Sequence, residues 1–198
     1  NKNILEVASR NDVLRNKIYS KGFQPNYFQT CLSENILINN NNSRVVSNLN
    51  DQVFQEKTFD FCLSLFSLNS SNNIPLIFKN IYNILKTNGV FTSIFPSDEC
   101  FKEFRSYFLE FFNPDKNYNF NPLFDMQTLG NLCSAAGFKS VIVDKEKFQF
   151  NISKPEEIWQ FIRSIGESNY LLKRKNFTVK KSLFKKFYNK YEKELKKG

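Results

Sequence analysis

Residues 59–95 read FDFCLSLFSLNSSNNIPLIFKNIYNILKTNGVFTSIF. The run Phe59-Asp60-Phe61-Cys62-Leu63-Ser64-Leu65 is short and mostly apolar, the pattern of a buried strand. Ser71 through Leu85 follows, with Ile74, Ile77, Phe78, Ile81, Ile84 and Leu85 on one face at helical spacing. Pro75 falls in the first turn, where a missing N–H costs nothing. Asn88-Gly89 ends the helix, and Val90–Phe95 is a further apolar strand. Strand, helix and strand with short links make a βαβ unit, which holds its two strands parallel.

The same alternation continues on both sides. Upstream, Ile4–Ala8 reads as a buried strand and Ser9–Asp12 as a turn. Asp12 is placed to cap a helix over Val13–Lys21, which Gly22 ends. Tyr27–Leu32 and, more weakly, Ser43–Leu49 are further strands. Downstream, Asp98 opens a helix to about Phe112, and Asp125–Ala136 is a helix stopped by Gly137. Lys139–Phe150 reads as a long strand, with Val141, Val143 and Phe148 among its apolar positions. Ser153-x-x-Glu156 is a capping box that starts a helix to Ile165. Thr178–Lys196 is a last helix with the stripe Val179, Leu183, Phe187 and Tyr191, and its lysines are expected in solvent. The expectation is an α/β, Rossmann-like sandwich in one domain over 1–198. Its core spans about 3–150 and a helical extension about 153–198. Its parallel sheet has the order 3-2-1-4-5, with 140–150 beside it and helices on both faces. Ligands in such sheets bind beyond the carboxyl ends of the strands, which points to 8–12, 30–34, 47–51 and 64–70.

Composition narrows the chemistry. The 198 residues suit one sizeable core. The chain has no His, which excludes His-based triads and His-metal clusters. Cys31, Cys62, Cys100 and Cys133 are widely spaced with no C-x-x-C, so neither a disulfide framework nor a zinc site is indicated, and no metal is expected. No apolar run approaches a membrane span. The net charge is +9, with much of the excess between Lys173 and Lys197. That balance suits anionic partners such as nucleic acid, acidic carrier proteins or membrane surfaces, or it is a solvated lysine-rich helix face. No aromatic-basic RNA-binding motif or zinc-finger spacing supports nucleic acid. Phe101, Phe104 and Phe108 at helical spacing read as core rather than a base-stacking platform.

Phe59–Ser64, Asn73-Ile74-Pro75 and Ile84-Leu85-Lys86-Thr87-Asn88-Gly89-Val90-Phe91 resemble strand four to strand five of the class I methyltransferases. Leu129-Gly130-x-Leu132, Ala136-Gly137-Phe138, Val143-Asp144 and Ile165-Gly166-Glu167-Ser168-Asn169 resemble the methyltransferase-fold assembly factor of mitochondrial complex I and its bacterial relatives. More distantly they are similar to the malonyl-carrier-protein methyltransferase of biotin synthesis, BioC. The similarity runs from about Ile4 to Tyr191. It implies S-adenosylmethionine as cofactor and a protein substrate or carrier-protein partner. It implies two chemistries, methyl transfer to a carrier-bound carboxylate in the BioC branch and hydroxylation of an arginine in the assembly branch. It leaves the cytoplasm, or the mitochondrial matrix in a eukaryote, as the compartment. Family members continue past the last helix into an apolar strand. Here Leu195-Lys196-Lys197-Gly198 closes the chain, so that strand is expected to be missing.

The departures from the family pattern fall in the cofactor loop. The family's L-D-L-G-C-G-x-G becomes Leu5-Glu6-Val7-Ala8-Ser9-Arg10-Asn11-Asp12. Glu6 keeps a carboxylate, but every glycine is gone, and glycine is what lets backbone approach the cofactor without a Cβ. The acidic residue that holds the ribose aligns with Cys31, and a thiol is a poor acceptor beside a carboxylate. Glu34, one helical turn on, could substitute. Asn48 aligns with the aspartate that reads the adenine amino group. The expected cofactor set is therefore Glu6, Ala8, Ser9, Arg10, Cys31, Asn48 and Leu65, with weak or lost binding. Two roles stand open for Glu6: contact with the cofactor amino group and loop, or a strand-end carboxylate bonded to nearby backbone N–H. Arg105, Glu167 and Asn169 are candidates for the substrate mouth, with a surface ion pair to Asp98 or Glu103 as the other role for Arg105. The function so implied is a methyltransferase-like protein of the BioC and complex I assembly type with a degenerate cofactor loop. The alternative is a non-catalytic scaffold of the same fold that binds a protein partner.

Overall fold

The computed structural model describes residues 1–33, 43–48, 50–112, 123–150, 154–164 and 181–195. They divide into two units, Asn1–Pro96 with Phe124–Asp144, and Ser97–Leu123 with Lys145–Gly198.

The first unit holds a five-stranded sheet of order β3-β2-β1-β4-β5. The strands are β1 (Asn3–Glu6), β2 (Asn26–Cys31), β3 (Arg44–Val46), β4 (Phe59–Leu65) and β5 (Leu85–Ile94), and every pairing is parallel. Leu5 sits opposite Phe28 on one side and Cys62 on the other. Side chains alternate between faces, so this register sends Leu5, Cys62 and Phe91 to one face and Glu6, Tyr27 and Gln29 to the other. On the apolar face lies α2 (Ile74–Ile84), whose Ile74, Ile77, Phe78, Ile81 and Ile84 are all buried. Burying each such side chain is worth about 1.5–3 kcal/mol. Behind it, α4 (Met126–Ala136) adds Leu129, Leu132, Cys133 and Ala136 to the same core. On the polar face, Tyr19 of α1 (Val13–Ser20) meets the ring of Tyr27 edge-on at 6.5 Å. Helices therefore cover both faces, as expected.

Several boundaries differ from the sequence reading for local reasons. Asp12 makes no side-chain cap for α1, because its carboxylate is engaged by Arg44, and Asn11 Oδ1 accepts from Val13 N at 3.0 Å instead. The third strand stops at Val46 rather than Leu49, and Asn48 Oδ1 turns back to accept from Asn50 N at 3.1 Å. α2 begins at Ile74, where Asn73 Oδ1 accepts from Leu76 N at 3.2 Å. The helix also ends earlier than Asn88-Gly89. Ile84 closes it and β5 begins at Leu85, with an irregularity between the Phe59↔Leu85 and Phe61↔Val90 pairs that absorbs the Asn88 turn at φ 64°. Gly137 caps α4 as expected, at φ 109°, and a Cβ there would sit 3.0 Å from the Tyr82 ring.

One strand is corrected outright. Residues 141–150 join no ladder. Ile142 is 90 % exposed and Phe148 69 %, and Val141 and Val143 are only half-buried. Period-two patterning needs a neighbouring strand to become a ladder, and β5 has none on its outer edge among the described residues.

The second unit holds α3 (Lys102–Phe112), α5 (Pro155–Ser164) and α6 (Lys181–Leu195). Phe104, Phe108, Ile158, Ile162, Phe187 and Tyr191 form its core. The Phe187 ring lies 5.5–5.8 Å from those of Phe104, Phe108 and Phe111. Edge-on contacts of this kind favour the positive rim of one ring against the face of another. Phe101, Phe104 and Phe108 are thus core, as read. Leu183 is a correction: it is 38 % exposed and lies outside the aromatic face. Lys181, Lys185, Lys186, Lys190 and Lys193 are all exposed. Val179, the Ser153 cap and Glu34 lie outside the described residues.

Candidate functional site

The carboxyl ends of β1, β2 and β4 meet at residues 7–12, 30–31 and 64–69 of the first unit. The loop after β1 is fastened by backbone to both neighbours. Val7 N donates to Leu63 O at 2.7 Å and Ser9 N to Thr30 O at 2.7 Å. Ala8 N donates to the Thr30 hydroxyl at 2.9 Å. Ala8 holds φ 55°, the left-handed region that glycine adopts without cost and that strains an L-residue by about 1–2 kcal/mol. The loop thus keeps a glycine-type bend at the family's first glycine position while carrying a methyl group.

Below that bend runs a chain of polar side chains. Glu6 Oε2 accepts from the Tyr27 hydroxyl at 2.8 Å and from Gln29 Nε2 at 2.9 Å. Gln29 Nε2 also donates to Ser9 Oγ at 2.9 Å. Arg44 Nε donates to Gln29 Oε1 at 2.8 Å, and the Arg44 guanidinium pairs with Asp12. Glu6, Gln29 and Ser9 are all buried. Burial pushes the Glu6 carboxyl above its ordinary value, and hydrogen bonds from Gln29 and Tyr27 offset part of that shift. Asp12 moves the other way, held below its ordinary value chiefly by the Arg44 hydrogen bond. The Glu6 carboxylate thus meets side chains of β2, Tyr27 and Gln29, rather than the backbone N–H groups of the strand-end role.

The remaining candidates fall as follows. Cys31 is wholly buried, and desolvation raises its thiol. Arg10 is half-buried. Leu65 is half-buried at the end of β4, and its carbonyl accepts from Ser67 Oγ at 2.8 Å. Asn48 is exposed and lines a shallow cleft with Val7, Thr30, Gln52, Phe54 and Ile81. None of the other expected cofactor residues lines that cleft. Arg105 belongs to the second unit, where its Nη1 donates to the carbonyls of Asp98 at 3.1 Å and Cys100 at 3.3 Å. These two contacts tie the start of α3 to its own loop. Glu167 and Asn169 lie outside the described residues. Asp60 stands at the opposite, amino ends of the strands and bonds Lys2, Lys86 and Asn3 N.

Sequence reasoning missed Tyr27, Gln29 and Arg44, while Thr30 falls in the 30–34 stretch it pointed to. The signal was alternation on β2: once Glu6 pairs with Gln29, positions 27 and 29 share its face. Arg44 lies two strands away, and no motif linked it to Asp12.

A parallel sheet of order 3-2-1-4-5, flanked by helices, with a bent loop closing over strand one, is the core of a class I methyltransferase fold. A family model described as a methyltransferase domain matches residues 1–143, and the chain belongs to that family. The human protein named arginine-hydroxylase NDUFAF5, mitochondrial, is 32 % identical over 158 residues, covering 75 % of this chain and 46 % of that protein. The chain thus spans less than half the length of that relative. A protein of Rickettsia prowazekii named as a methyltransferase is 26 % identical over 196 residues, covering 96 % of this chain and 87 % of the other. The YcgJ protein of Bacillus subtilis superposes with a TM-score of 0.60 at 10 % identity, over 94 % of this chain and 75 % of that one. A SAM-dependent methyltransferase of Archaeoglobus fulgidus gives 0.57 at 12 % identity, over 83 % and 77 %. These two likenesses are of fold. The family implies S-adenosylmethionine as its cofactor. No helix among the described residues is long and apolar enough to cross a membrane.

Proposed function

We propose that this chain is a methyltransferase-fold protein of the complex I assembly type that engages a protein partner, with a cofactor crevice too altered to hold S-adenosylmethionine tightly. The observation that carries the reading is the commitment of Glu6. Its buried carboxylate already accepts from Tyr27 and Gln29, and the loop above it is tied through Arg44 and Asp12. The residues do not fit the cofactor well. A wholly buried Cys31 presents no acceptor to a ribose, and Ala8, Arg10 and Asp12 carry side chains where the family has glycine. One observation favours a second reading, a catalytic protein with weakened cofactor affinity: Ala8 keeps the left-handed bend of a working loop. In a bacterium the compartment would be the cytoplasm, in a eukaryote the mitochondrial matrix.

Calorimetric titration with S-adenosylmethionine tests the reading. Losing one charged-acceptor hydrogen bond costs about 1.5–3 kcal/mol. At about 1.4 kcal/mol per decade, that moves a micromolar binder one to two decades toward millimolar. The variant Ala8→Gly with Arg10→Gly and Asp12→Gly should gain at least tenfold. Cys31→Asp is tested in a separate protein, because it places a carboxylate in a buried position. Low-micromolar binding by the unmodified chain overturns the proposal and makes the catalytic reading the better one.

A further inference from the structure

The second unit carries a charge pattern that its packing does not require. α6 turns Phe184, Phe187, Tyr188 and Tyr191 toward the aromatic core, with Phe187 and Tyr191 buried. At 3.6 residues per turn, Ser182, Lys185, Lys186, Asn189, Lys190 and Lys193 cover an arc of about 140° on the other side. All six are exposed, and no carboxylate stands among them. Glu192 falls at one margin of that arc. Among the described residues no ion pair reaches Lys181, Lys185, Lys186, Lys190 or Lys193. Lys186 and Lys190 stand four apart and Lys190 and Lys193 three apart, spacings at which like charges repel and a glutamate would have relieved them. The Lys190 ammonium is held over the rings of Tyr107 and Phe111, 5.5 and 5.9 Å from their centroids, so part of the patch is positioned by the core beneath it.

We propose that this lysine face of α6 is a docking surface for an acidic protein surface. Each competing anion lacks something here. A membrane-bound amphipathic helix inserts its apolar face, and the apolar face of α6 is buried inside the unit. Single-stranded nucleic acid is held by exposed aromatic platforms, and the aromatic residues of α6 point inward. The face has lysines and no arginine, so it offers mobile point charges rather than the planar fork that grips phosphate in two places. A carboxylate-rich protein surface asks only for complementary charge at helix spacing. The proposal deepens the protein-partner reading above by naming the partner's chemistry, and it does not depend on the cofactor crevice.

The test uses the full chain and three probes at one ionic strength: poly-L-glutamate, double-stranded DNA, and phosphatidylserine vesicles. The unmodified protein should bind polyglutamate most tightly, and added salt should weaken that binding. Lys185→Glu with Lys186→Glu and Lys193→Glu should lower the affinity at least tenfold. A control with the same net charge, Lys17→Glu with Lys21→Glu and Lys139→Glu in the first unit, should lower it less than threefold. Should the glutamates disturb the helix, Lys185→Gln with Lys186→Gln and Lys193→Gln must still weaken binding while the thermal melt stays in place. Equal losses in the two charge-matched variants would reduce the effect to net charge and overturn the proposal. Tighter binding to DNA or vesicles than to polyglutamate would overturn it as well. The S-adenosylmethionine titration is made on chains that carry no α6 substitution, so failure here leaves the reading of the crevice standing on its own test.

Discussion

The hydroxyl of Tyr27 on β2 donates to Oε2 of Glu6 on β1 at 2.8 Å, on the sheet's polar face. This contact turns a residue that heads the family's cofactor loop into the anchor of an internal network. Gln29 shares the same carboxylate oxygen, and Arg44 passes the network on to Asp12.

The network should give stability two opposite responses to pH. The folded state raises the Glu6 pKa above 4.5, so it favours the protonated carboxyl, and stability falls as pH rises through the window above 4.5. Glu6→Gln keeps an oxygen to accept from Tyr27 and Gln29 and removes the buried charge. It should be more stable than the parent at about pH 8, with the gain shrinking toward pH 4. Asp12 behaves oppositely, because its folded pKa lies below 3.8. Its contribution is present above 3.8 and is lost as pH falls through the folded value. Asp12→Asn should cost about 1–2 kcal/mol near neutrality, at the lower end for a charged hydrogen bond because the pair is partly exposed, and little in strong acid. Urea midpoints across the pH range check both signs, and a loss of stability in Glu6→Gln at about pH 8 would contradict the first.

Two positions on one helix should separate sharply. Phe187 of α6 is wholly buried among the rings of Phe104, Phe108 and Phe111, and Phe187→Ala should cost about 3–5 kcal/mol. Leu183 is 38 % exposed, and Leu183→Ala should cost less than about 1 kcal/mol. Chemical denaturation followed by the fluorescence of the single tryptophan, Trp159 of α5 in the same cluster, reads this unit directly. Equal costs at the two positions would mean that Leu183 is covered in solution.

Thiol labelling should sort the four cysteines by burial. Cys31 and Cys62 are wholly buried, and desolvation pushes the Cys62 thiol up to about 12 and raises Cys31 as well. Thiolate is the reactive form, so both should resist a thiol reagent until the protein unfolds. Cys100 and Cys133 are half-buried, so both should react ahead of the buried pair. Mass spectrometry of the labelled native protein assigns the order. Rapid labelling of Cys31 would show that the end of β2 opens, and would reinstate it as a residue that a cofactor can reach.

The βαβ unit over 59–95, the parallel sheet and the stripe of α2 were legible from sequence, because apolar spacing is dictated locally and a helix or buried strand needs few partners to declare itself. So was the Gly137 stop of α4, whose left-handed backbone acts within one turn. What only the tertiary structure decided were matters of pairing. Residues 141–150 have strand alternation but form no ladder, since a strand exists only against a neighbour. Asp12 was free by sequence to cap α1 and is claimed by Arg44, 32 residues on, because the β2–β3 register carries that guanidinium to the loop. In one dimension Glu6 is open to two roles, a cofactor contact or a strand-end carboxylate. In three dimensions it is an internal acceptor, because the β1–β2 register sets Gln29 beside it and Tyr27 on the same face.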